Sequence, residues 1–214
     1  GIWIFYNTNI LKEYRTSDEG DLYLANYEKK FLRYEELPQP TISDVKLNVA
    51  LYPMDKRAVT EGRYVLTNLT DQAVRDVHVR IGDPARQLEI LALDFPGAQL
   101  VSQDEEYGYR IYRLGQPMAP GDSRTMSFRT VRDQDGFRNS GGDTRLVHNG
   151  TFLNNFELAP LIGMSRDQLL QERSKRREYG LPPELRPAKL EDMSATDENY
   201  NASAWATPDI TLST

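Results

Sequence analysis

Between Ile42 and Thr70 the sequence reads ISDVKLNVALYPMDKRAVTEGRYVLTNLT, two strand-like runs joined by a short polar connection. In the first run Val45, Leu47, Val49 and Leu51 alternate with Lys46, Asn48, Ala50 and Tyr52. A period of two places alternate side chains on opposite faces of a sheet, so one face of this segment is apolar and must be covered. Pro53 cannot donate to a ladder and Asp55, Lys56 and Arg57 favour solvent, which predicts a turn before Tyr64, Val65 and Leu66 resume strand character. The pair reads as a β-hairpin that supplies half of a sandwich core.

The chain that follows repeats this pattern. Val77, Val79 and Ile81 alternate with His78 and Arg80, and RQLEILALDF, AQLVS and YGYRIYRL add strand candidates before Met126 and Phe128 mark one more. Gly82-Asp83-Pro84, Phe95-Pro96-Gly97 and Pro120-Gly121-Asp122 supply turns between them. Seven or more short strands without intervening helices predict a mainly β protein, an antiparallel β-sandwich with flanking helices. The first helix is expected from Thr16 or Ser17 through an acidic first turn, closed by Pro38 and Pro40, with Tyr23, Tyr27, Phe31 and Tyr34 forming a stripe that docks on a core. A second is expected over SRDQLLQERSKRREY, where Ser165 and Gln168 make a capping box and Gly180 and Pro182-Pro183 end it. Three regions result: residues 1–40, an extension with a helix; 41–132, the sandwich; and 133–214, a polar glycine-rich loop, closing strands with an Asn149-Gly150 turn, a helix and a polar lead-out ending in a threonine-rich strand.

Composition removes several function classes. The formal net charge is -6, whereas nucleic-acid binding needs clustered Lys and Arg that neutralise phosphates. The one basic run, Arg173 to Arg177, sits beside Glu172 and Glu178 and reads as a solvated helix face. There is no cysteine, which excludes disulfides, thiolate metal sites and a thiol nucleophile. His78 and His148 are the only histidines and neither has a second ligand at metal spacing, so each reads as a structural or surface histidine. No G-x-S-x-G elbow, phosphate loop or G-x-G-x-x-G is present. Asp104-Glu105-Glu106 reads as a charged loop, and the triplets at Asn68, Asn149 and Asn201 match the glycosylation pattern without further context. No apolar run approaches the roughly 20 residues that span a bilayer. The opening Ile2, Trp3, Ile4, Phe5 and Tyr6 fit an interfacial belt just after a removed transmembrane helix as well as a chain end packed on the core.

The hairpin text ISDVKLNVALYPMDKRAVTEGRYVLTN, then DVHVRI, LGQPMAPGDSRTMSFR and NGTFLNNFELAPLIG, resembles the N-terminal sandwich of zinc aminopeptidases related to aminopeptidase N. GIWIFYNTNILKEYRT and RREYGLPPELRPAKLED are similar to segments of large bacterial membrane proteins that combine an ABC-type permease region with such an aminopeptidase. The resemblance implies a non-catalytic domain of a membrane-associated zinc aminopeptidase, extracytoplasmic, capping the active site and helping substrate entry. It implies no catalytic residue, cofactor or metal ligand here, since no H-E-x-x-H occurs; zinc is expected in the catalytic domain of the parent. Its partners would be that peptidase domain of the same chain, a peptide substrate and, through flanking segments, the membrane, with no nucleic acid. In the family a polar residue of the segment that closes the sandwich can reach the substrate amine, which by position singles out Asn154, Asn155 and Glu157 within Asn149 to Glu157, although no Gln stands at the family's usual place. The same residues also read as a turn followed by a buried strand. Two rival readings stand beside this one: an extracytoplasmic sandwich module of an ABC-type transporter that binds a peptide or protein by its edge strands, and a structural spacer.

Overall fold

The computed structural model describes residues 17–81, 88–133, 146–147, 150–151, 158–183 and 207–213. They fall in two compact units, a sandwich built from Pro38–Gly163 with Ala206–Thr214, and a helical unit built from Arg15–Leu37 with Met164–Trp205.

In the sandwich unit, β1 (Thr41–Tyr52) and β2 (Arg57–Thr67) form the expected hairpin. Val45, Leu47 and Val49 are buried and the residues between them are not. The connection is tighter than the sequence predicts. A 3-10 turn over Pro53–Asp55 ends at Lys56, whose φ of 48° is left-handed, and β2 already begins at Arg57. The polar stretch is drawn into the strand because Ala58, Val59 and Thr60 are buried between β1 and β7.

β3 (Val74–Arg80), β4 (Leu88–Asp94), β5 (Ala98–Asp104), β6 (Tyr109–Met118) and β7 (Ser123–Asp133) follow. The turns at Phe95–Gly97 and Ala119–Asp122 are closed by Ala98 N–H to Phe95 O (3.0 Å) and Asp122 N–H to Ala119 O (3.0 Å), with Gly97 and Gly121 at positive φ. The turn expected at Gly82-Asp83-Pro84 lies outside the described residues.

Short strands β8 (Leu146–Val147) and β9 (Gly150–Thr151) pair antiparallel. Val147 stands opposite Gly150, so Gly150 belongs to the ladder and not to the expected Asn149-Gly150 turn. β10 (Leu161–Ile162) adds to β3, and β11 (Thr207–Ser213) adds to β1. One sheet therefore runs β11-β1-β2-β7-β4 and the other β10-β3-β6-β5. The fold is the expected β-sandwich, mainly β with few helices. One ladder departs from the antiparallel rule: β11 lies parallel to β1, reached from it by a crossover and not by a hairpin.

The core between the sheets joins Leu47, Val49, Tyr64, Leu66, Met126 and Phe128 of one sheet to Val77, Val79, Tyr112, Leu114 and Met118 of the other. Gly62 sits beneath the Phe128 ring; a Cβ there would lie 2.2 Å from Phe128 Cζ and 2.8 Å from Leu47 Cδ2. The ring fills the space that a side chain at position 62 would need.

In the helical unit, α1 (Ser17–Phe31) continues as a 3-10 turn over Leu32–Tyr34, so the α-helix stops short of the expected prolines. Tyr27 and Phe31 of the aromatic stripe are buried with ring centroids 5.0 Å apart. The helix expected over 165–179 does not form as one element. Ser165 Oγ accepts from Asp167 N–H (3.2 Å) and starts only a 3-10 turn, Arg166–Gln168. Leu169 is extended, and α2 is limited to Arg173–Glu178. Tertiary packing overrides helix propensity here: Leu169 and Leu170 are both buried, Leu170 against Ala25 and Leu181. The end of α2 obeys the sequence, with Gly180 at φ 70°, Gly180 N–H to Arg177 O (3.1 Å) and Leu181 N–H to Arg176 O (2.8 Å), a Schellman pair.

Candidate functional site

Asn154, Asn155 and Glu157 lie outside the described residues, as do His148 and the triplets' Asn149 and Asn201. What is described is how the chain leaves that segment. Leu158 and Ala159 enter the sandwich core. The Thr130 hydroxyl of β7 donates to Leu158 O, and the Tyr64 hydroxyl of β2 donates to Pro160 O at 2.9 Å. Both bonds are buried, and burial pushes the Tyr64 phenol well above its ordinary range, so it stays a donor. β10 then pairs with β3, where Gly163 N–H donates to His78 O (2.9 Å) and Arg80 Nε donates to Gly163 O (2.8 Å). Residues 158–163 are thus fixed at both the core and the sheet.

His78 and Arg80, the polar alternates of β3, are both buried. His78 Nδ1 and the Tyr109 hydroxyl are 2.8 Å apart with the rings edge to face. Burial drives the His78 pKa down to about 4, against the attraction of Asp76. Its backbone N–H donates to Gln39 Oε1 (2.8 Å), whose amide donates to Asp76 O (2.9 Å). The Asp76 carboxylate takes two 2.8 Å bonds from Arg113, which hold it below the usual carboxylate range. The histidine is a neutral structural group, as its lone placement in the sequence suggested.

At one end of the sandwich a depression of about 380 Å³ lies between β4 and the β5–β6 turn, with Ile81, Leu88 and Ile90 as apolar lining and Glu89, Asp104 and Arg110 among its polar residues. Asp104-Glu105-Glu106 forms the expected charged turn, with Tyr107 N–H to Asp104 Oδ1 (3.3 Å) and Gly108 N–H to Glu105 O (3.3 Å). The Asp104 carboxylate is held by the turn, and among the described residues no three such side chains gather at one point.

In the helical unit the basic run is only partly a solvated face. Arg173 and Arg177 are exposed, but Arg176 is buried and forms a two-pronged pair with Glu28, Nη1 to Oε2 at 2.7 Å and Nη2 to Oε1 at 2.9 Å. Its Nε and Nη1 also donate to Pro182 O (2.7 Å) and Leu170 O (2.6 Å). Lys175 contacts Asp18 (3.2 Å), Asp21 (3.4 Å) and Glu178 (3.7 Å). Position 176 within RSKRR carries no mark in the sequence that separates it from its neighbours, and this clamp is structural.

Asn68, in one glycosylation triplet, is fully buried. Its amide donates to Gln72 O (2.8 Å) and Met118 O (3.0 Å), and its oxygen accepts from Thr70 N–H (3.0 Å) and Thr70 Oγ1 (2.7 Å). The triplet is an Asx turn.

Among the described residues no three His, Asp or Glu side chains gather as a metal site, and the sequence holds no H-E-x-x-H. These donors do not fit a catalytic zinc.

No family model and no curated protein matches the chain. Solved structures with similar stretches include an M1 zinc metallopeptidase from Deinococcus radiodurans, 10% identical, covering 48% of this chain and 22% of that one at a TM-score of 0.35. A two-domain M1 zinc metallopeptidase bound to L-tryptophan is 12% identical over 58% of this chain and 31% of its own, TM-score 0.35. Yeast LTA4 hydrolase in complex with bestatin is 14% identical over 45% and 15%, TM-score 0.32. The chain spans less than a third of the length of each of these structures.

Proposed function

We propose that this chain is the non-catalytic N-terminal domain of a membrane-associated zinc metallo-aminopeptidase, standing outside the cytoplasm and capping the active site of a peptidase domain in the same parent chain. The observation that carries the reading is that the segments resembling the family's front domain, ISDVKLNVALYP through VLTN, DVHVRI, LGQPMAPGDSRTMSFR and the end of NGTFLNNFELAPLIG, close one sandwich. The substrate-side residues are Asn154, Asn155 and Glu157, just before the anchored Leu158, and they contact the free amine of a peptide. Zinc is bound by the peptidase domain, where it supplies the activated water.

The test is hydrolysis of an aminoacyl reporter. Residues 1–214 alone are expected to be silent with zinc added, whereas the parent is active and loses affinity for substrate, seen as a raised KM, on Asn154→Ala, Asn155→Ala or Glu157→Ala. Zinc-dependent hydrolysis by residues 1–214 overturns the reading. A peptide or protein that binds this chain equally well with and without the peptidase domain replaces it with the transporter-module reading.

A further inference from the structure

Two hydroxyls stand in the apolar core of the sandwich, Tyr64 on β2 and Thr130 on β7, 4% and 0% exposed. Their neighbours on the same face, Leu66 on β2 and Met126 and Phe128 on β7, are buried and apolar. A buried hydroxyl destabilises unless it has a hydrogen-bond partner, so phenylalanine at 64 and valine at 130 would meet the needs of packing alone. Both hydroxyls bond main chain: Thr130 donates to Leu158 O, and Tyr64 to Pro160 O at 2.9 Å.

Residues 158–160 are buried but belong to no helix or strand, so no ladder of their own sets their position. Buried carbonyls need partners, and here the side chains of two neighbouring strands supply them. Thr130 stands opposite Thr60, four positions along β2 from Tyr64, and the two hydroxyls therefore hold the segment at two separate points. The Tyr64 ring is itself packed on Phe128, with centroids 4.7 Å apart, so its hydroxyl projects from a rigid part of the core.

We propose that Tyr64 and Thr130 are positioning residues, whose hydroxyls fix the chain at Leu158 and Pro160 and so hold the substrate-side residues that precede Leu158 in register with the substrate amine. This rests on the reading of Asn154, Asn155 and Glu157 given above. Glu157 is joined to Leu158 by one rigid peptide bond, so a displacement of the Leu158 backbone is passed directly to it. A misplacement of about 1 Å at a binding group is enough to weaken its contact severely. Neither hydroxyl touches substrate or metal, so its loss falls on substrate binding and leaves the chemical step alone.

The experiment compares hydroxyl deletions with Ile111→Val, which trims a buried hydrocarbon side chain on β6 and destabilises the sandwich without removing a hydrogen bond. In residues 1–214, hydrogen exchange of the amides between Leu158 and Gly163 is expected to be about tenfold faster in Tyr64→Phe and Thr130→Val than in Ile111→Val. In the parent enzyme, each hydroxyl deletion is expected to raise KM for the aminoacyl reporter about threefold or more with kcat held, and Thr130→Ser, which keeps a hydroxyl, to recover most of the loss. Exchange no faster than in Ile111→Val overturns the proposal, as does an equal rise of KM in Ile111→Val, which would reduce both hydroxyls to ordinary core stability. An unchanged KM in both hydroxyl deletions, while Asn154→Ala, Asn155→Ala or Glu157→Ala raises it, overturns the proposal and spares the reading of the site. If none of those three variants moves KM, that reading falls and this proposal with it.

Discussion

Replacing Gly62 by alanine tests the packing of the five-stranded sheet where the Phe128 ring lies over the glycine. Gly62 stands opposite Leu47 in β1 and Phe128 in β7, and a Cβ there would fall 2.2 and 2.5 Å from two Phe128 ring carbons and 2.8 Å from Leu47 Cδ2. In an open strand the exchange would gain about 0.5–1 kcal/mol, because glycine loses more chain entropy on folding. Here the Phe128 ring is itself packed on Tyr64, with centroids 4.7 Å apart, and both rings are buried. The ring cannot move without disturbing its neighbour, and overpacking of this kind costs about 1–3 kcal/mol. The net expectation is a loss of roughly 1–2 kcal/mol, which for a chain of this size lowers Tm by about 2–8 °C. Thermal unfolding followed by circular dichroism, with urea titration at fixed temperature, measures it. Phe128→Leu in the same chain removes the two offending ring carbons, so the double variant is expected to be more stable than the sum of the single losses by about 0.5 kcal/mol or more. A Gly62→Ala protein that melts at or above the unsubstituted temperature, or a cycle with no coupling, refutes the close approach of ring and glycine.

Other perturbations follow from the same geometry. Arg176→Ala leaves the Glu28 carboxylate buried without its partner and is expected to cost about 3–5 kcal/mol by urea unfolding, with Arg176→Lys recovering only part, since one ammonium cannot replace the two-pronged pair. Asn68→Ala removes four hydrogen bonds of a buried side chain, one of them itself fully buried, and is expected to cost about 2–4 kcal/mol, and Asn68 is expected to carry no glycan on mass analysis after secretion from a eukaryotic host. The folded-state pKa of His78, about 4, lies below its unfolded value, so between pH 6.5 and 4 the unfolded chain binds more protons and stability falls as pH falls. That contribution, on the order of 3 kcal/mol, is fully present above pH 6.5 and is expected to flatten in His78→Gln; an unchanged slope in that window counts against a neutral buried imidazole. Asp76, held low by Arg113, adds a separate loss at more acidic pH.

Much of the sandwich was legible because period-two patterning is a local property. Val45, Leu47 and Val49 declared the core face of β1, and Met126 and Phe128 that of β7, before any neighbour was known. What could not be read was whatever a distant residue decides. His78 and Arg80 look like the solvent face of β3 until Tyr109 and Gly163 arrive to satisfy them. The stretch from Ser165 to Tyr179 has helical composition, but the burial of Leu169 and Leu170 and the capture of Leu170 O by Arg176 hold its middle extended. β2 absorbed Arg57 to Arg63 because two partner strands compensate for their polarity. For the candidate site, the sequence singled out Asn154, Asn155 and Glu157 by position in a family phrase, and the structure adds the anchoring of Leu158 and Pro160 that follows them.

The parallel ladder between β1 and β11 sets the order in which the molecule can be completed. Roughly 150 residues are made between Tyr52 and Thr207, which at 5–20 residues per second is on the order of 10–30 s of synthesis. Throughout that interval β1 has its hairpin partner on one side and no β11 on the other, at the moment when a growing chain is most exposed to its neighbours. Asp44, Lys46 and the polar Asn48 along β1 are the features that keep this waiting edge from recruiting a strand of another nascent chain.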